Sequence, residues 1–160
     1  MKIYLAGGLF NAGERLHNLY LEKYLKALDY DVVLPQREAL KAFDNGTFDV
    51  KKIVRSCREA SSHPENILVG NADGPDSDSG TCIEYTFAIV STGRAVIYRT
   101  DFRTALDREL GINAMLMGEG TEFVYDPCFI TELDQVDAYY AGLAMKIHEA
   151  IQKILSDRKK

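Results

Sequence analysis

The chain has too little positive charge, too few metal ligands and too short an apolar run for several whole classes of function. Its 160 residues carry 19 Lys and Arg against 24 Asp and Glu, a formal net charge of -5. Proteins that grip a nucleic-acid backbone or an anionic lipid surface present a basic face, so neither a nucleic acid polymer nor a membrane is an expected partner. The apolar run near the N-terminus is only about five residues long, far short of a membrane span or a signal-peptide core. Cysteine is scarce and odd in number: Cys57, Cys82 and Cys128. No pair of them has metal-ligand spacing, and His17, His63 and His148 are equally scattered, so no metal site is expected. Without an export signal the thiols point to a reducing compartment and a cytoplasmic protein. No internal repeat or low-complexity tract occurs.

What is present is the balance of an ordinary globular protein, 46% hydrophobic and 27% charged, and the length suits one domain over residues 1–160. Short β-branched runs at 2–6, 31–34, 66–70, 94–98 and 122–125 end at Gly, Pro, Asp or Asn and read as buried strands. Between them lie helix-period segments. Over 14–28 the residues Leu16, Tyr20, Tyr24, Ala27 and Leu28 share a face. A weaker helical pattern covers 50–60, and 79–92 is apolar enough to be buried against a sheet. From about 131 to 156 a stripe of Val136, Tyr140, Leu143, Ile147, Ile151 and Ile154 predicts a long helix, and Arg158, Lys159 and Lys160 suit its C-terminal dipole. Residues 36–49, 61–64, 71–78 and 101–120 read as irregular. Alternating strands and helices predict an α/β fold: a flavodoxin-like, doubly wound, mainly parallel five-stranded sheet with helices on both faces. Ligands of such sheets sit at the carboxyl ends of the strands.

The densest polar segment, Asn71-Ala72-Asp73-Gly74-Pro75-Asp76-Ser77-Asp78-Ser79-Gly80-Thr81-Cys82-Ile83-Glu84, lies at such an end. Four clustered carboxyls shift one another's pKa values, an arrangement suited to acid/base work. Glu84 falls in or just after the first turn of the third helix, where the dipole favours an ionised carboxylate. A carboxylate facing an anomeric carbon can act as a nucleophile. The same residues also fit a structural role, since Thr81 and Glu84 match a capping box, and the loop loosely imitates a calcium site without the EF-hand spacing. The first loop, Ala6-Gly7-Gly8-Leu9-Phe10-Asn11-Ala12-Gly13, could cradle a phosphate, yet its spacing matches neither the dinucleotide fingerprint nor the P-loop. Close backbone approach at Gly7 with Phe10 stacking on a compact ligand fits it as well. A third convergence, at residues 98–103, ends the fourth strand. In Gly111-Ile112-Asn113-Ala114-Met115-Leu116-Met117-Gly118 the methionines suit flexible packing or a subunit contact.

Together these segments resemble the nucleoside 2-deoxyribosyltransferase family. Ile3-Tyr4-Leu5-Ala6-Gly7-Gly8-Leu9-Phe10 is similar to its Ile-Tyr-Leu-Ala-Gly-Pro-Leu-Phe start. Asp78-Ser79-Gly80-Thr81-Cys82-Ile83-Glu84 is similar to its Asp-Ser-Gly-Thr-x-x-Glu signature, and Ile112-Asn113-Ala114-Met115 to its Ile-Asn-Leu-Met element. The resemblance implies a cofactor-free enzyme that exchanges the base of a deoxynucleoside for a free nucleobase. Glu84 would form a covalent deoxyribosyl intermediate, with retention over two displacements. Tyr4 would position Glu84, and Asp78 would hold sugar hydroxyls or orient the nucleophile. Gly7, Phe10, Asp73, Gly80, Asn113 and Met115 would line the substrate. Asn113 would reach the 5′-hydroxyl from a neighbouring subunit, so a homo-oligomer is implied.

Two departures stand out. The position at which the family carries a base-protonating aspartate falls near Ser56 or Cys57, which implies either that Asp73 or Asp76 takes over base recognition or that the base preference is altered. Tyr85-Thr86-Phe87-Ala88 replaces a Leu-Gly-x-Ala pattern, with larger residues that narrow the pocket or change helix packing. Two other functions share the fold: a deoxynucleoside 5′-monophosphate N-glycosidase, whose relatives carry a Gly-Ser-Ile-Arg-Gly-like phosphate loop, and a non-catalytic nucleotide-binding module.

Overall fold

The computed structural model describes residues 1–44, 46–103 and 112–157. Its elements run β1 (Lys2–Ala6), α1 (Ala12–Ala27), β2 (Asp31–Val33), α2 (Pro35–Leu40), β3 (Phe43–Asp44), β4 (Thr47–Phe48), α3 (Val50–Ser61) and β5 (Asn66–Asn71). Then follow α4 (Ser79–Thr92), β6 (Ala95–Arg99), a 3-10 turn (Ala114–Leu116), β7 (Thr121–Tyr125) and α5 (Gln135–Asp157). Five strands form one sheet in the order β2-β1-β5-β6-β7, every pairing parallel. This is the flavodoxin-like order of a doubly wound α/β sheet.

The two-residue period of the strands sorts the core into two halves. Ile3, Leu5, Ile67, Val69, Val96 and Tyr98 face α1 and α5, meeting Leu21, Leu25, Leu143, Ile147 and Ile151. Tyr4, Ala6, Leu68, Ala95 and Ile97 face the other way, toward Tyr85 and Ala88 of α4 and toward Ile112 and Leu116. Gly70 lies on that second face. A Cβ there would meet Ile97 Cδ1 at 2.9 Å and Leu68 Cδ2 at 3.1 Å, so glycine lets the first turn of α4 settle close to the sheet.

Four details differ from expectation. Residues 36–49 are not irregular: they hold α2, started by Pro35, and the β3–β4 hairpin with Phe43 paired to Phe48. Both pieces are too short for a hydrophobic period to register. The buried stripe of α1 is Asn18, Leu21, Glu22 and Leu25, while Leu16 is 55% exposed. Two polar residues disguise that stripe, and each is buried because it has partners: Asn18 donates to Gly8 O and to Gln36, and Glu22 pairs with Arg37 and Lys26. Helix α4 is mostly apolar but not wholly buried, with Val90 80% exposed. Helix α5 begins at Gln135 rather than 131; Arg158, Lys159 and Lys160, expected at its end, lie outside the described residues. Among the described residues no helix is long and apolar enough to cross a membrane.

Candidate active site

Strands β1 and β5 are neighbours, yet α1 leaves β1 toward one face and α4 leaves β5 toward the other. The sheet therefore opens a crevice at their carboxyl ends, the place where such folds bind ligands. A cavity of about 530 Å³ occupies it, walled by Gly8, Glu14, His17 and Asn18 on one side and by Asn71, Asp73, Asp76 and Asp78 on the other.

Asp78 begins α4. Its Oδ2 accepts from the Thr81 amide at 2.8 Å and from the Thr81 hydroxyl at 3.1 Å, an N-cap that satisfies two donors at once. The cap is therefore Asp78, and the capping box expected of Thr81 and Glu84 does not form. Glu84 is the sixth residue of α4, about 9 Å along the axis from its cap. There it turns inward to β1, and Tyr4 donates its hydroxyl to Glu84 Oε1 at 2.6 Å. Tyr4 is 1% exposed. Cys57, from α3, completes the group: its thiol lies close enough to Tyr4 and Glu84 to act on the titration of both. Three elements thus meet around one carboxyl.

Burial pushes the Glu84 carboxyl up to about 7; the Tyr4 hydrogen bond and the nearby Cys57 thiol pull it down, and the Asp78 charge pushes it up again. The dipole of α4 does not hold it fully ionised at neutral pH, since Glu84 lies beyond the first turn, where that field fades. Burial and the Glu84 charge keep the Tyr4 phenol well above its ordinary range, so it remains a donor. Burial likewise raises the Cys57 thiol, which disfavours a thiolate there.

The loop between β5 and α4 is braced from β6. Asp73 Oδ1 accepts from the Thr100 and Asp101 amides at 2.6 and 2.8 Å. Its Oδ2 accepts from the Thr100 hydroxyl at 2.6 Å and from Asn71 at 2.9 Å. Buried Arg99 donates to the carbonyls of Ala72, Gly74 and Arg103. The convergence at residues 98–103 is therefore a scaffold for the loop. Asp73 lines the cavity, but its oxygens are committed. Asp76, also on the wall, is exposed. His17 is held between Tyr140 at 2.8 Å and Tyr98 at 2.9 Å, and burial lowers its pKa.

Of the other residues singled out, Gly7 abuts Asn71 beneath the first loop: a Cβ there would lie 3.2 Å from Asn71 Cβ. Gly80 sits beside the Asp78 carboxylate. Phe10 is 77% exposed at the rim of the loop. Asn113 is exposed and caps the 3-10 turn by accepting from the Met115 amide at 3.0 Å, and Met115 is 81% exposed. Neither meets Glu84 within this chain. Gly111, named with that segment, lies outside the described residues. Tyr85 takes the packing role: its hydroxyl meets Thr121 at 2.8 Å and accepts from the Gly118 amide at 3.0 Å, tying α4 to the segment that carries Asn113. Glu14 and Asn18 were not singled out from sequence as site residues. Their partners are loop carbonyls and amides, which leave no side-chain pattern to read. Among the described residues no three His, Cys, Asp or Glu side chains gather as a metal ligand set.

With this geometry in view, residues 3–122 match the family model described as nucleoside 2-deoxyribosyltransferase. No protein of curated function matches the chain. Among solved structures, a conserved protein from Enterococcus faecalis V583 is similar at 24% identity and a TM-score of 0.68, over 93% of this chain and 98% of that one. A 2-deoxyribosyltransferase from Bacillus psychrosaccharolyticus is similar at 18% identity and a TM-score of 0.58, over 90% of this chain and 96% of that one. At these identities the two likenesses speak to the fold.

Proposed function

The chain belongs to the nucleoside 2-deoxyribosyltransferase family, and from that premise we propose that it exchanges the base of 2-deoxyribonucleosides through Glu84. The observation that carries the proposal is the carboxyl of Glu84 held at 2.6 Å by the Tyr4 hydroxyl, where burial sets its titration near 7. In its ionised form Glu84 attacks C1′ of the sugar, and the C1′–N bond breaks with its electron pair leaving on the base. A deoxyribosyl ester of Glu84 results. The ring nitrogen of a second base then attacks C1′ and frees the carboxylate, so two inversions give net retention. Tyr4 fixes the attacking carboxyl. Asp78 anchors the start of α4, which aims Glu84, and it borders the cavity where sugar hydroxyls would lie.

Proton handling on the base falls to Asp76 rather than Asp73, because the Asp73 oxygens already accept four hydrogen bonds. Gly7, Gly80 and Phe10 shape the near side of the site. Asn113 and Met115, exposed in their own chain, serve a neighbouring copy, so the working enzyme is a homo-oligomer acting in the cytoplasm.

Chromatography of deoxyinosine incubated with adenine tests the reaction. Deoxyadenosine and hypoxanthine are expected with the wild type, and none with Glu84→Ala. An active Glu84→Ala enzyme refutes the mechanism. Free base released solely from deoxynucleoside 5′-monophosphates, with no acceptor present, identifies the N-glycosidase instead. Binding without turnover of either identifies the non-catalytic module.

A further inference from the structure

Asn18 lies on α1 and lines the cavity, yet it is 3% exposed and firmly held. Its Nδ2 donates to Gly8 O at 3.0 Å and to Gln36 Oε1 at 3.2 Å. A carbonyl can only accept, so the Asn18 amide cannot be turned over. Gln36 is locked in the same sense, because its Nε2 donates to Arg15 O at 3.3 Å. Both amide hydrogens of Asn18 are therefore committed, and its Oδ1 accepts from no group among the described residues. Among those residues the one side-chain polar atom sealed from solvent without a partner is Asn66 Oδ1. The Asn18 oxygen, also without a partner, is thus open to the cavity. Gly7 keeps that opening clear: a Cβ there would lie 3.4 Å from Asn18 Oδ1 and 3.2 Å from Asn71 Cβ. A nearly buried acceptor without a donor is costly, and a ligand N–H at this point removes the cost.

We propose that Asn18 Oδ1 reads the base, which makes the site select deoxynucleosides whose base carries an exocyclic amino group at the edge opposite the sugar. The inference rests on the deoxynucleoside reading above and names the substrate class within it. Placement decides which part of the ligand meets Asn18. Glu84 stands on the α4 side of the sheet beside Tyr4, and C1′ must lie there. Asn18 stands on the α1 side over Gly7, which is three residues beyond Tyr4 and about 10 Å farther along the strand direction. A sugar held near Glu84 and Asp78 therefore extends its base across the strand ends toward Asn18. The donors among the other lining side chains are committed elsewhere. Asn71 gives its Nδ2 to Asp73 and His17, His17 has Tyr98 and Tyr140 on its two nitrogens, and Arg103 grips Asp101. A base with an amino group brings an N–H to the waiting oxygen. A base with a carbonyl at that edge sets oxygen against oxygen and leaves both unpaired. Asn18 acts in selection and does not touch the reacting atoms.

Calorimetry in a Glu84→Ala background, where no turnover intervenes, compares deoxyadenosine with deoxyinosine and deoxycytidine with deoxyuridine. Within each pair the ligands differ at the exocyclic position and in the ring proton beside it. Either pair suffices where the other does not bind. The parent is expected to bind the amino member about tenfold or more tightly, the scale of one hydrogen bond gained and one unpaired acceptor avoided. Asn18→Ala should bring the ratio to within about threefold of unity. Gly7→Ala leaves the Asn18 hydrogen bonds in place and sets a methyl against Oδ1, so it should lower the ratio as well. It decides the matter if Asn18→Ala fails to fold. A parent that shows no preference, or favours the carbonyl member, overturns the inference. So does a ratio that persists in the folded variants, including an equal loss of affinity for both members, which is what a purely structural role for Asn18 gives. If the wild type exchanges bases while the ratios fail, the inference alone falls. If no probe binds and no exchange occurs, the deoxynucleoside reading fails and takes the inference with it.

Discussion

Replacing Glu84 by glutamine should stabilise the protein, and by an amount that depends on pH in one direction only. Burial moves the Glu84 carboxyl from its ordinary 4.5 to about 7 in the folded chain. The folded state therefore binds this proton more tightly than the unfolded state does. Its favourable contribution is fully present below pH 4.5 and is lost as pH rises through 7. A carboxyl displaced this far has a charged form destabilised by about 3 kcal/mol. Glutamine has nearly the same shape, offers Tyr4 an acceptor and does not titrate. The advantage of Glu84→Gln over the wild type should thus grow by about 3 kcal/mol between roughly pH 4.5 and pH 8, then level off. Urea unfolding of both proteins across that range measures it, because every other titrating group contributes equally to the two curves and cancels. Parallel curves, or a gap that closes toward high pH, would refute the claim that Glu84 is held against its charged form. In the wild type kcat/KM should rise with pH through about 7, since the ionised carboxylate is the proposed nucleophile.

Two further outcomes follow from the same contacts. Tyr4→Phe removes a hydrogen bond that favours the Glu84 carboxylate, so the rise in kcat/KM should move to higher pH, with about 1–2 kcal/mol of stability lost at pH 8; an unmoved pH profile counts against the role given to Tyr4. Mixing inactive Glu84→Ala with Asn113→Ala should restore part of the base exchange after subunits redistribute, because one hybrid site then has both residues; a mixture no more active than its parts would place Asn113 outside the neighbour's site.

The five strands of the main sheet were legible because they are short β-branched runs, those of β1, β5 and β6 buried on both faces, and each begins and ends within about a residue of its run. Legibility failed where a polar side chain is buried by virtue of a distant partner. Asn18 and Glu22 broke the apolar stripe of α1, and nothing in sequence announces Gly8 O or Arg37 as what they bind. In the site, the spacing of Asp78 and Glu84 was readable, but their division of labour was not. The four-residue pattern from Thr81 to Glu84 mimics a cap, and only the fold reveals Asp78 as the cap and turns Glu84 to Tyr4, 80 positions away in the chain. Cys57 shows the same limit. The family resemblance put it near a position where an aspartate is usual, while its place beside Tyr4 and Glu84 depends on how α3 packs against α4.

The groups that act on Glu84 explain why burial and reactivity belong together here. Tyr4 donates to it, the Cys57 thiol lies beside it, and Asp78 adds a like charge; none of the three supplies the positive charge that would settle an ionised carboxylate. An ion pair at that position would lower the Glu84 pKa and stabilise the ground state, and the attacking group would lose by its own solvation what it gained in ionisation. Left without a cation, the carboxylate interacts most favourably with the positive charge that builds at an anomeric carbon as a base departs. The same deficit of cations holds in the adjoining cavity, where Arg103 is bound to Asp101 and His17 is kept from charging. The proposed reaction then has its electrostatic origin in a crevice with an excess of carboxyls, in which positive charge is favoured where the substrate generates it.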